Sequence, residues 1–237
     1  MRTLVLLWML SMPSLLAQTV TLFDGRNLDA WIGADGSPPN ESWAVEDGLL
    51  RTVTGRKKNV DLLLKERQRY FELMFEFRLS RGSNSGVKYF SDRGASNLNY
   101  PPGVMTFFLA GFEFQLIDND DPEVRDDDAK KTGALYGFYS PRRHAMRPYG
   151  EWNEAKLVVR RGRVEHWING EMVLDFDPRA ADISRIAKRH LSEGKLAYMT
   201  LTGMLEASRH RGEEGFVGLQ HHASPVWFRN IRLLKLD

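Results

Sequence analysis

The chain has 237 residues and sets 33 Lys and Arg against 31 Asp and Glu, a near-balance that offers no basic surface for nucleic acid. It contains no cysteine, which excludes disulfides, thiolate chemistry and a lipid anchor on an N-terminal cysteine. Its length suits one large all-β domain as readily as two small ones, and no Pro/Ser-rich linker or internal repeat supports dividing it.

Taken in chain order, the first feature is Met1-Arg2, followed by the apolar run Leu4 to Leu10 and a small residue at Ala17. This reads as a secretory signal cleaved before Gln18. A membrane span would need roughly 20 apolar residues, and Ser11, Pro13 and Ser14 interrupt this one. The expectation is a signal peptide over 1–17, a single domain over 18–237, a secreted or periplasmic protein and no transmembrane anchor after cleavage.

Short β-favouring runs then recur at Trp43 to Val53, Tyr70 to Leu79, Gly86 to Phe90, Phe107 to Ile117, Glu154 to Val159, Arg163 to Ile168, Phe216 to Leu219 and Val226 to Leu236. Turn signals such as Asp47-Gly48, Arg161-Gly162 and Asn169-Gly170 separate them. Many short strands without interleaved long helices predict a β-sandwich of jelly-roll type. The exception is 180–210, where Ile183, Ile186, Ala187, His190 and Leu191 follow helical spacing up to a Ser192-Glu193-Gly194 stop. That insertion is either a lid or a helix covering one end of the sandwich.

Gly111-Phe112-Glu113-Phe114-Gln115-Leu116-Ile117-Asp118 places a carboxylate and a carboxamide two residues apart in an aromatic strand. Strand side chains alternate, so Glu113 and Gln115 share one face and Phe112, Phe114 and Leu116 the other. By the same parity Asn84, Gly86 and Lys88 share a face, as do Gln220 and His222, whereas His221 points oppositely. The acidic run from Asp118 to Asp128 lacks the ligand spacing and central glycine of an EF-hand and reads as a solvated loop. His166, beside Trp167 in a hairpin, reads as structural.

Leu22-Phe23-Asp24-Gly25 with Leu28-Asp29-Ala30-Trp31, Asn84-Ser85-Gly86-Val87, Gly111 to Gln115, Lys131 to Tyr136, Gly150 to Asn153, His166 to Gly170, and Gly218 to His222 with Phe228 to Ile231 together resemble the 3-keto-disaccharide hydrolase family. The resemblance runs in order along essentially all of the chain after residue 17. It implies a concanavalin A-like, laminarinase-like sandwich acting on a sugar oxidised to a ketone at carbon 3, with a sugar oxidoreductase as the partner that makes the ketone. The ketone acidifies the proton on carbon 2, so a base can form an enolate that expels the carbon 1 oxygen; water addition completes a net hydrolysis.

Within that chemistry Glu113 is the candidate base and His222, favoured over His221 by the family pattern, the candidate acid/base; both are also candidate ligands for a divalent metal ion. Gln115, Gln220, Asn84 and Lys88 are candidate sugar contacts, Arg229 a guanidinium for Glu113 or a sugar oxygen, and Tyr136 and Trp152 stacking platforms. Glu113→Gln is expected to stop turnover while leaving thermal unfolding nearly unchanged, as for an exposed groove residue. Two other readings compete: a non-catalytic carbohydrate-binding module, and a retaining β-glucanase, which needs two carboxylates about 5 Å apart where this strand offers Gln115 and, with the wrong parity, Asp118.

Overall fold

A computed structural model describes residues 19–39, 41–56, 58–96, 104–122, 124–193 and 214–236. The expected signal over 1–17 and the part of the insertion beyond 193 lie outside the described residues. In chain order the strands are β1 (Thr19–Phe23), β2 (Trp31–Gly33), β3 (Trp43–Glu46), β4 (Leu49–Thr52), β5 (Lys58–Val60), β6 (Leu62–Leu64), β7 (Phe71–Leu79), β8 (Asn84–Ser96), β9 (Met105–Ile117), β10 (Trp152–Arg160), β11 (Arg163–Ile168), β12 (Glu171–Phe176), β13 (Phe216–Leu219) and β14 (Val226–Lys235). Helix α1 (Ala181–Glu193) falls where the spacing predicts it.

The strands form two sheets, as expected of an all-β sandwich. One runs β12-β11-β10-β7-β14-β4-β3, with β1 also on β14; the other runs β2-β6-β13-β8-β9-β5. Strand β7 shows why they pack: Phe71, Leu73, Phe75, Phe77 and Leu79 are buried in alternation and meet Val87, Tyr89, Phe112, Phe114 and Leu116 of the second sheet. Asp47-Gly48 and Asn169-Gly170 turn the β3–β4 and β11–β12 hairpins with φ of 51° and 75°, and 49° and 81°, the positive values a two-residue loop needs.

His166 crosses the core, its ring stacked on Phe114 at 4.1 Å. Because the Gly133 carbonyl can only accept, His166 Nδ1 donates to it at 3.0 Å and Nε2 accepts from the Tyr89 hydroxyl at 3.0 Å. Burial holds the imidazole down to about 3, so it is neutral and structural. Helix α1 buries Ile183, Ile186 and Ala187 in the same core, and Asp182 accepts from Tyr139 Oη at 2.6 Å. In its described part the insertion is therefore a cap packed on the core.

The second sheet curls on itself. Strand β5 is one edge and β6 the second strand from the other, yet Asp61 alone separates them in the chain. One residue can bridge that width only if the long β8–β9 hairpin bends back over β6 and β13. The bend falls at the bulge between Tyr89 and Asp92, where Phe90 takes φ 48°. Gly218 permits the close approach, since a Cβ there would meet Leu62 O at 2.3 Å and Leu109 Cδ1 at 2.4 Å. Inside the curl, Ala34, Val60, Leu63 and Leu109 form a second small apolar cluster on the face turned away from the main core.

Candidate active site

Antiparallel register sets Asn84 opposite Ile117, Gly86 opposite Gln115, and Lys88 opposite Glu113. Cross-strand partners share a face, so these side chains lie together on the outer face of the second sheet, within the curl's shelter. Gln220 joins them, since Gly218 pairs with Lys88 and the Gln220 N–H donates to the Gly86 carbonyl at 2.8 Å. His222 follows two residues on, half-buried, beyond the end of β13.

The polar face is not the open one that alternation predicts. Glu113 is 2 % and Lys88 7 % exposed, and their carboxylate and ammonium form a buried ion pair. Gly86 makes room for it: a Cβ there would stand 2.6 Å from Glu113 Oε1 and 2.8 Å from its Cγ. Beside the pair, Asn84 Oδ1 and Gln220 Oε1 are buried without a hydrogen-bond partner, although the Asn84 backbone N–H and carbonyl are both bonded by the Ser224 hydroxyl. Two unmatched acceptors next to a charge pair form a surface suited to hydroxyl donors of a ligand.

Sequence reasoning missed Asp61. It is 1 % exposed, its Oδ1 accepts from His221 N and its Oδ2 from Leu109 N, each at 2.8 Å. Burial pushes its carboxyl up to about 7, against the two N–H donors and the Lys88 ammonium, with the Glu113 carboxylate adding to the rise. An acid inside the apolar run Val60-Asp61-Leu62-Leu63-Leu64 was the available signal, since aspartate is seldom fully buried without partners. His221 points away from this face as its parity predicts; its Nε2 donates to the Val53 carbonyl at 3.1 Å and burial lowers its pKa.

Two expected site residues lie elsewhere. Trp152 and Arg229 are on the outer face of the first sheet, with both sheets and the core between them and Glu113. Arg229 bonds Glu76 Oε2 through Nε at 2.9 Å and Nη2 at 2.6 Å, and its guanidinium lies 4.1 Å from the Trp152 ring centre. Arg229 is therefore not the partner of Glu113 that the sequence suggested, and Trp152 is not a platform in this site. Tyr136 donates its backbone N–H to the Glu113 carbonyl at 3.1 Å, and its ring packs partly against the main core rather than standing as an open platform. Asp118 spends both carboxylate oxygens on backbone amides, Gly82 N of the β7–β8 turn at 2.8 Å and Asp120 N of its own loop at 3.2 Å, so it is not a second catalytic carboxylate.

Among the described residues no three His, Asp or Glu side chains converge as a metal centre requires, and one Glu113 oxygen is held by Lys88. This donor set does not fit a divalent ion, and no step below runs through one. No helix among the described residues is long and apolar enough to cross a membrane.

A family model described as a 3-keto-alpha-glucoside-1,2-lyase-like domain matches residues 18–234. A Bacteroides thetaiotaomicron protein named 3-keto-disaccharide hydrolase is 30 % identical over 231 residues, covering 92 % of this chain and 78 % of that protein. Among solved structures, a Parabacteroides distasonis protein provisionally assigned as a glycosyl hydrolase superposes with a TM-score of 0.71 at 25 % identity, over 92 % of this chain and 94 % of that one. Another from the same organism gives 0.63 at 23 % identity, over 92 % and 100 %.

Proposed function

The chain belongs to the 3-keto-alpha-glucoside-1,2-lyase-like family and is a glycoside-cleaving enzyme; from that premise we propose that it cleaves glycosides whose carbon 3 is a ketone, by elimination and rehydration. The observation that carries this reading is the buried Glu113–Lys88 pair in the space left by Gly86. Glu113 takes the carbon 2 proton, and the C–H electron pair becomes the enolate. The pair starts neutral, as carboxylate and ammonium. Once Glu113 is protonated, the negative charge sits on the enolate oxygen at carbon 3, and the Lys88 ammonium follows it there.

The enolate then collapses: the carbon 3 carbonyl re-forms, a double bond forms between carbons 1 and 2, and the bond from carbon 1 to the aglycone oxygen breaks. His222 is the donor that protonates the leaving oxygen. Water adds to carbon 1, and carbon 2 recovers a proton. Asn84, Gln115 and Gln220 hold the sugar hydroxyls, the two unmatched amide oxygens acting as acceptors. A sugar oxidoreductase supplies the ketone, and export through residues 1–17 belongs to the same reading; protein recovered from its native envelope should begin near Gln18.

The test compares matched substrates. The 3-keto-glucoside should be cleaved and the unoxidised glucoside left intact, and deuterium on carbon 2 should slow turnover or wash out into solvent. Efficient cleavage of the unoxidised glucoside overturns the proposal.

A further inference from the structure

Resting on that reading of Glu113 and Lys88, we infer that Asp61 is a positioning residue of the site. It clamps the strand bearing Glu113 to the segment bearing Gln220 and His222.

The clamp is geometric. Asp61 is bonded four ways: its N–H donates to the Phe107 carbonyl at 2.9 Å, its carbonyl accepts from Ala34 N at 2.8 Å, and its carboxylate receives the Leu109 and His221 amides. Leu109 lies four residues before Glu113 on β9, and His221 lies between Gln220 and His222. One side chain thus fixes the spacing between the proposed base and the proposed acid. A hydrophobic residue of similar size would leave two buried amides without acceptors, so the carboxylate is not there as core filling.

Amide hydrogen exchange and turnover of Asp61→Asn test the clamp. In Asp61→Asn, amide exchange at Leu109 and His221 should quicken while Leu73 in the core stays protected. With the 3-keto-glucoside, Asp61→Asn should lose about 100-fold in kcat with KM little changed, the loss expected of misplaced groups. Asp61→Asn with unchanged exchange at Leu109 and His221, or with unchanged kcat, overturns the inference. Wild-type protein that leaves the 3-keto-glucoside intact instead overturns the functional reading, while exchange still decides whether Asp61 clamps the two segments.

Discussion

Glu113 shows how far one residue's meaning depends on what is stacked against it. On an exposed face its replacement by glutamine would cost no stability. Buried beside Lys88, it would leave an ammonium without its closest counter-charge, and loss of one partner from a buried pair costs about 3–5 kcal/mol. Glu113→Gln should therefore lower the urea midpoint clearly, as well as reducing turnover by about 10²–10⁴-fold and abolishing carbon 2 proton exchange. An unchanged denaturation curve would show that the pair does not contribute to stability. Gly86→Ala is a subtler probe: its methyl would occupy the space of the Glu113 carboxylate, so we expect a cost of about 1–3 kcal/mol from overpacking and a fall in kcat, read by melting and by turnover.

Among the elements, the long strands and the helix were legible because their periodicity is sustained. Strand β7 alternates over nine residues, and Ile183, Ile186 and Ala187 repeat at helical spacing. Truncating Ile183 to Ala should cost about 2–4 kcal/mol by chemical denaturation while sparing kcat, since helix α1 packs on the core and not beside Glu113. Loss of kcat at full stability would make the helix part of the site. Strands β5 and β6 escaped notice because three residues carry no period, and β12 because Glu171, Asp175 and a bulge break its alternation.

At the scale of the whole molecule, buried titratable groups pull stability in opposite directions with pH. His166 has its pKa lowered by burial to about 3, so its contribution is full above 6.5 and is lost as pH falls, by roughly 1.4 kcal/mol per pH unit below 6.5 until about pH 3. Asp61 is raised to about 7, so what it contributes is full below its unfolded value near 3.8 and is lost as pH rises toward 7. Urea midpoints measured from pH 4 to pH 8 should rise less steeply in His166→Gln than in wild type, and more steeply between pH 4 and 7 in Asp61→Asn. Parallel curves for all three proteins would remove both assignments.

Local pattern alone determined the sandwich, its hairpin turns, the helix and the shared face of Glu113 and Gln115, because each rests on spacing within one segment. The family motifs, met in order along the chain, carried the functional expectation. What the tertiary structure decided was which faces meet. Trp152 and Arg229 were expected beside the sugar and Glu113, and only sheet pairing put them across the core from Glu113. Burial of Glu113 and Lys88, and the arrival of Asp61 beside them, depend on the β8–β9 hairpin curling over β6 and β13. Contacts between residues 61, 109 and 221 leave no trace in local periodicity, since they arise when distant strands close on one another.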